Sequence, residues 1–172
     1  MGVIKNGANG AAAVADAPQP LASNLAWLLS QASYGLATQL TKALHDLGVS
    51  PRAHCVLSTA MTGELTQTEL AQAVGLDKTT MVVTIDELEA AGLAERRPSK
   101  TDRRARVIAV TKAGARKAAQ AAEVVDRVQA EALASLPARE RKAFMEALGQ
   151  LVSSGLGTPV ECGGVRRREP RS

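Results

Sequence analysis

The stretch that decides the fold runs from Leu65 to Thr111 and reads LTQTELAQAVGLDKTTMVVTIDELEAAGLAERRPSKTDRRARVIAVT. Residues Thr66 to Glu69 have the order of a capping box, in which a threonine and a glutamate three positions later begin a helix. Gly75 permits a tight turn, and Asp77 is placed to cap a second helix that extends to Ala91. Apolar residues recur along both helices at three- and four-residue steps. The pattern therefore predicts a helix-turn-helix.

A basic hairpin is predicted directly after the second helix. Leu93–Arg97 and Arg106–Val110 have the pattern of strands, and Pro98–Asp102 supplies turn-forming residues. The window from Glu95 to Arg106 has a net charge of +4, equal to that of the whole chain. Charge concentrated on a short hairpin favours a wing that contacts nucleic acid over a merely solvated hairpin. The cations of this window are Arg96, Arg97, Lys100, Arg103, Arg104 and Arg106.

Long amphipathic helices flank this unit. One is predicted from about Ser23 to Asp46, and a second from Thr111, as its cap, to about Ala134. A last helix after Pro137 carries Phe144 on its apolar side. These apolar stripes exceed what a winged helix covers, which predicts two copies clasped through their terminal helices. The expected fold class is mainly α with a small β-hairpin wing, a winged helix-turn-helix with long terminal dimerisation helices.

The expected domain organisation follows from these elements. Residues 1–20 form an N-terminal arm of low hydrophobicity, and residues 21–48 and 112–154 form the helical dimerisation region. Residues 50–111 form the winged helix-turn-helix. Residues 155–172 form a basic tail, which is either solvated or an auxiliary phosphate contact.

Composition excludes several classes of protein. The single Trp, Tyr and Phe argue against an RNA or single-strand reader that stacks bases on aromatic side chains. Two cysteines, Cys55 and Cys162, make neither a disulfide framework nor a metal site. Two isolated histidines provide no catalytic triad, and no glycine-rich phosphate loop precedes a helix. We expect a cytoplasmic bacterial protein that is not an enzyme, with no cofactor, metal or membrane segment.

The segment from Glu64 to Gly114 resembles the MarR family of bacterial transcription regulators. The order of long helix, short helix, helix-turn-helix, wing and two long helices is similar to that family. The residues that carry the resemblance are Asp102-Arg103-Arg104, which match the Asp-x-Arg wing signature, and Gly92-Leu93, Arg97, Val110-Thr111 and Gly114.

The resemblance implies a homodimer that binds a palindromic operator in double-stranded DNA, usually as a repressor. Many members of the family release DNA when a small phenolic or other lipophilic ligand binds, and some when a cysteine is oxidised. Two alternatives stay open: a redox-sensing regulator that uses Cys55, and a winged helix with no effector that serves chromosome architecture or protein interaction.

The second helix is expected to read bases in the major groove. Lys78, Thr79 and Thr80 lie in its first turn, where helix-turn-helix proteins meet base edges; capping and a solvated surface are the alternative. Val83 and Thr84 follow in the next turn. Because valine cannot donate to guanine but can touch a thymine methyl, weaker direct readout with a tilt toward A·T pairs is expected.

Phosphate and minor-groove contacts are expected around this helix. The predicted phosphate contacts are Thr66, Gln67 and Thr68 at the preceding helix start, with Arg97 and Lys100 in the wing. Arg103 at the wing tip is expected to enter the minor groove. Asp102 and Arg104 are expected to brace the hairpin as a bidentate pair, although by family analogy Arg104 can itself contact the backbone.

The resemblance also implies an effector site between the dimer helices and the winged domain. Trp27, His54 and Arg52 are the candidates for binding an aromatic acid, with Tyr34 and His45 also in the right helices. Each of them is more often an ordinary surface or core-edge residue.

Overall fold

A computed structural model of the chain describes residues 19–100, 102 and 104–157. The helices are α1 (Leu25–Leu44), α2 (Pro51–Ala60), α3 (Gln67–Val74), α4 (Lys78–Ala90), α5 (Lys112–Leu133) and α6 (Ala138–Leu151). Single helical turns lie at Gln19–Ala22, His45–Leu47 and Val152–Leu156. The strands are β1 (Ala94–Pro98) and β2 (Arg106–Val110). The predicted fold class is confirmed. Most of the predicted arm and tail lies outside the described residues.

Capping side chains and a glycine set the ends of the first two helices. Asn24 accepts a hydrogen bond from the Trp27 backbone N–H at 2.9 Å, so α1 begins two residues later than expected. Ser50 Oγ accepts from the Ala53 N–H at 3.1 Å, and Pro51 occupies the first position of α2, where its missing N–H costs nothing. Gly48 ends the first helical region with a φ of 63°, a left-handed conformation that glycine adopts without strain.

The core lies between α2, α3, α4 and the hairpin, and its buried side chains are small or aliphatic. Among them Val56, Leu57, Leu70, Met81 and Ile85 have no exposed surface. Burial of this apolar surface is the main stabilising term. It fixes the orientation of α4, because Met81, Ile85 and Leu88 all face inward.

A third segment pairs with the hairpin, and the pattern of residues does not predict this pairing. β1 and β2 pair antiparallel, with Ala94 opposite Val110 and Pro98 opposite Arg106. On the other side of β2, the Ile108 N–H donates to the Leu65 carbonyl at 3.0 Å. The segment just before α3 therefore holds the wing in register with the helix-turn-helix.

A compact joint connects the end of α4 to the start of α5. Gly92 has a φ of 67°, and the Leu93 N–H donates to the Leu88 carbonyl at 2.9 Å, as in a Schellman ending. Thr111 Oγ donates to the Gly92 carbonyl at 2.8 Å and accepts from the Gly114 N–H at 3.0 Å. Gly92, Leu93, Thr111 and Gly114, which carry part of the family resemblance, thus lie together at this joint.

The described residues divide into two compact units, of which one ends at Ala132 and the other begins at Leu133. In the first, α1 exposes apolar side chains, among them Leu25 and Tyr34 at 55% and 72%. In the second, α6 exposes Phe144 and Met145 at 45% and 47%. None of the helices in the described residues has both the length and the apolar content needed to cross a bilayer. The domain boundaries drawn from the sequence remain a prediction.

Candidate nucleic-acid interface

The start of α4 is fixed by Asp77. Its carboxylate accepts the Thr80 N–H at 2.9 Å and the Thr80 hydroxyl at 2.5 Å. Because of these hydrogen bonds to Thr80, the pKa of Asp77 is lowered from its ordinary value. Lys78 and Thr79 remain exposed beside the cap. The Thr80 hydroxyl is engaged locally, so the exposed donors of this turn belong to its two neighbours.

We expect Asp77→Ala to loosen α4 and to lower the Tm at pH 7 by about 3 °C, because the first turn loses its cap. Asp77→Asn keeps an acceptor for the Thr80 N–H and should retain most of the Tm. The depressed pKa means that the ionised cap stabilises the fold above the unfolded pKa of about 3.9, and that this is lost as the pH falls through the folded value. Thermal unfolding between pH 7 and pH 3 measures this; an Asn variant with the same acid sensitivity as the wild type would contradict it.

The structure places the predicted base readers on both faces of α4. Val83 is 48% exposed, and Thr80 is half-buried. Thr84 is only 1% exposed, and its hydroxyl donates to the Thr80 carbonyl at 2.8 Å. The prediction that Thr84 contacts DNA is therefore wrong. Helical periodicity aligns it with Met81 and Leu88, and the intrahelical hydrogen bond makes a threonine tolerable on that buried face.

Many of the hydrogen-bonding groups at the start of α3 bond to one another. The Thr66 N–H and hydroxyl both donate to Glu69 Oε2, at 2.7 and 2.8 Å, and the Thr66 hydroxyl accepts from the Glu69 N–H at 3.3 Å. The predicted capping box is confirmed, and its hydroxyl is already bonded. The exposed Thr68 and the amide group of Gln67 are better placed to offer donors to a phosphate.

Glu64 holds the base of the wing turn. Its Oε2 accepts from Ser99 Oγ and from the Lys100 N–H, both at 3.1 Å. The Lys100 backbone hydrogen bond is the main reason why the pKa of Glu64 is lowered. Lys100 Nζ lies 4.0 Å from Glu64 Oε1 and its side chain is 79% exposed. The Lys100 backbone is thus anchored while its ammonium group remains available to a ligand.

The outer cations of the wing are exposed, and they include Arg97, Lys100, Arg104 and Arg106. Asp102 Oδ1 accepts from the Arg104 backbone N–H at 2.9 Å. Among the described residues no ion pair joins these two side chains, so the expected bidentate brace is replaced by a side-chain-to-backbone turn. Arg103, the predicted tip residue, lies outside the described residues.

Arg96 differs from the other wing cations because it points back to the helix-turn-helix. Its guanidinium pairs with Glu89, lies 2.6 Å from Asp86 Oδ1, and reaches Gln67 Oε1 at 3.4 Å. Its backbone N–H also donates to Glu89 at 2.7 Å. Glu89 therefore belongs to a network that joins β1 to α4 and not to a solvated acidic face. The sequence contains one signal for this contact. Asp86 and Glu89 are three positions apart on α4, so their carboxylates lie on one helix face.

The three main effector candidates do not line the groove found along α1. Arg52 is exposed, while Trp27 and His54 are half-buried. A groove of about 640 Å³ runs along α1 and the following turn, and it is lined by Tyr34, Ala37, Thr38, Thr41, Lys42, His45 and Asp46. Of the predicted effector residues, only the secondary candidates Tyr34 and His45 line this groove.

One ring nitrogen of His54 on α2 lacks a hydrogen-bond partner among the described residues. This nitrogen, Nδ1, is buried. Burial lowers the pKa of His54, and the carboxylate of Asp126 on α5 opposes that effect. A buried polar atom without a partner is costly, so a ligand or water that bonded it would be stabilised.

Cys55 offers little support for redox sensing. The residue is exposed, yet neighbouring groups desolvate its sulfur and raise the pKa of the thiol. A raised pKa lowers the thiolate fraction on which oxidation depends. In the described part of the chain, no group of three or more His, Cys, Asp or Glu residues is arranged to hold a metal ion.

This fold is that of a winged helix-turn-helix protein. It is defined by α3 and α4, by the paired hairpin, and by the segment before α3 that pairs with β2. The sequence model of the MarR family matches residues 47–105, from just before α2 to the turn of the wing, and over this segment the chain is similar to that family.

Solved structures extend this likeness beyond the matched segment. CouR from Rhodococcus jostii RHA1, bound to p-coumaroyl-CoA, is 29% identical; the match covers 84% of this chain and 100% of that one, with a TM-score of 0.72. A MarR-family protein of Mycobacterium tuberculosis in complex with p-aminosalicylic acid is 26% identical, over 75% of this chain and 98% of that one, with a TM-score of 0.64. A transcriptional repressor, CouR, on a 23-mer DNA duplex shares the fold at 24% identity, covering 78% and 96%, with a TM-score of 0.72.

Proposed function

We propose that this protein is a transcriptional repressor that binds a palindromic operator as a homodimer and leaves it when a small aromatic or lipophilic ligand binds. One observation carries the proposal: the exposed first turn of α4 and the exposed wing cations belong to one winged helix-turn-helix. α4 would enter the major groove with Lys78, Thr79 and Val83 toward base edges. Arg97, Lys100 and Arg104 would contact phosphates, and Arg103 would enter the minor groove.

The homodimer is supported by the apolar surface that each unit exposes. Large apolar patches on a single chain usually mark an interface, and such surface lies on α1 in the first unit and on α6 in the second. A two-fold dimer presents two recognition helices, so its site is a palindrome with half-sites about one helical turn apart. The repressor on a 23-mer duplex, which has the same fold, supports the sign of regulation.

The ligand class is supported by two relatives and by His54. The relatives named above were solved with p-coumaroyl-CoA and p-aminosalicylic acid, both of which carry an aromatic ring. Trp27 would stack on the ring, Arg52 would pair with an acid group, and the buried His54 Nδ1 would gain its missing hydrogen bond.

Selection of preferred duplexes from a random pool, followed by footprinting, tests the DNA-binding part. A short palindrome protected symmetrically would support it, and non-specific coating would instead favour an architectural protein. Release of the selected duplex by coumaroyl thioesters and hydroxybenzoates tests the ligand part. Unchanged DNA binding and unchanged melting with all of them would remove its support.

Salt titration tests the wing. We expect Lys100→Gln to weaken binding to any duplex and to lower the magnitude of the salt slope by about two units, because the homodimer loses one phosphate contact in each half-site. The Lys100 backbone N–H to Glu64 is unaffected by this change, so the wing turn is retained. Lys142→Gln in α6 is the control, because it removes the same charge from the second unit. Equal slopes for wild type and Lys100→Gln would exclude this phosphate contact.

A further inference from the structure

We infer that Arg96 is a positioning residue that couples the wing to the recognition helix, and that it sets operator specificity without itself contacting DNA. We call Arg96, Glu89, Asp86 and Gln67 the Arg96 clamp. The inference rests on the proposed function, since it concerns how the same surface discriminates between DNA sequences.

The geometry of the clamp uses the planar fork of the guanidinium. One amino group pairs with Glu89, while the other lies 2.6 Å from Asp86 Oδ1 and 3.4 Å from Gln67 Oε1. The side chain of Arg96 is only 28% exposed, compared with 79% for Lys100. A lysine ammonium is a compact point charge and cannot present such a fork. Arg96 thus connects the strand of the wing to both helices of the helix-turn-helix.

The clamp also determines the charge that α4 presents. Asp86 and Glu89 lie near the C-terminal end of α4, the helix that would enter the groove. Unpaired carboxylates on this helix would repel phosphates. Pairing with Arg96 offsets one of these two negative charges and holds both carboxylates against β1. Charge-assisted hydrogen bonds of this kind are stronger than neutral ones and geometrically more specific.

Gln67 is oriented by the same contact. Its Oε1 faces the Arg96 guanidinium, so its amide N–H₂ group is turned away from that cation. The predicted phosphate donor at the start of α3 is thereby aimed by a residue 29 positions later in the chain. The clamp coordinates three elements that would each contact DNA: α3, α4 and the wing.

Glu89→Gln gives the decisive test, because two explanations predict effects of opposite sign. If Glu89 is a plain surface acid, removing its charge near DNA raises the affinity for every duplex. If it anchors Arg96, the change lowers operator affinity by roughly 10-fold, as expected for a weakened charge-assisted pair. A scrambled duplex of the same length should bind about as before, since non-specific binding depends mainly on phosphate charge.

Glu87→Gln is the matched control. Glu87 is exposed on the same helix, and it joins none of the ion pairs found in the described residues. The same chemical change at this position should slightly raise the affinity for operator and scrambled duplex alike.

Arg96→Lys and Arg97→Met complete the experiment with the full-length protein. Arg96→Lys keeps the charge but loses the fork, so we expect the operator-to-scrambled affinity ratio to fall about as much as in Glu89→Gln. Arg97→Met should weaken both duplexes equally and lower the salt slope by about two units, one for each protomer of the dimer. Thermal unfolding of each variant confirms that it remains folded at the assay temperature. If Arg96→Lys proves unfolded there, the opposed signs of Glu89→Gln and Glu87→Gln decide.

The outcomes separate the two claims. If the wild type itself does not distinguish the selected duplex from the scrambled one, the proposed function fails. If the wild type discriminates but Glu89→Gln behaves like Glu87→Gln, or Arg96→Lys keeps the wild-type ratio, the positioning role of Arg96 is wrong and the proposed function stands.

Discussion

Gly114→Ala is expected to destabilise the protein by about 3 kcal/mol, at the upper end of what an overpacked site costs. A Cβ built on Gly114 would overlap the Leu93 carbonyl oxygen and lie 2.9 Å from Val110 Cγ1. The Leu93 backbone cannot move away, because its carbonyl accepts the Thr111 N–H at 3.0 Å. The joint between α4 and α5 would have to open, so the loss should appear in chemical denaturation as a lower midpoint with a similar m value.

Gly149→Ala is the control for this change. Gly149 lies within α6, and a Cβ there meets nothing within 4 Å. Because alanine is the better helix former by about 1 kcal/mol, the control should be neutral or mildly stabilising. If the two variants unfolded at the same denaturant concentration, the close approach of α5 to Leu93 would be contradicted.

Phe144→Glu is expected to convert the proposed dimer into monomers and to weaken operator binding by roughly 100-fold, since two linked half-sites bind far more tightly than one. Phe144 is 45% exposed in the single chain, so the substitution disturbs no buried core within its own unit. A carboxylate placed in an apolar interface would be desolvated without a partner. Light scattering and operator titration measure the two effects.

Gln150→Glu adds the same charge to the same helix and is the matched control. Gln150 is exposed and polar, and we expect its variant to remain dimeric and to bind DNA nearly as the wild type does. A dimeric Phe144→Glu protein with full operator affinity would show that the apolar face of α6 serves another purpose.

Much of the fold could be predicted from the sequence because its signals act over a few residues. The capping box of Thr66 and Glu69, the Asp77 cap and the turn at Gly75 are formed by neighbours within four positions. Helix periodicity predicts one apolar face on α4, and Met81, Ile85 and Leu88 on that face lie in the core. The same periodicity places Thr84 inside, and the error there came from giving its hydroxyl more weight than its position.

The candidate site was only partly predictable, because its organisation depends on contacts between distant segments. Charge counting grouped Arg96 with the other wing cations, yet its partner Gln67 lies 29 residues earlier. Glu64, which holds the wing turn, lies 35 residues before Ser99. Neither partnership has a periodic pattern that would reveal it in the chain.

By itself, then, the sequence determined the helix-turn-helix, the basic hairpin and the caps, since these follow from backbone preferences and local hydrogen bonds. Only the tertiary structure decided which cations of the wing face solvent and which one binds the recognition helix. The physical reason is that a guanidinium pairs with whichever carboxylates packing brings within reach. In this protein packing brings Asp86 and Glu89 to Arg96 and leaves Arg97 exposed.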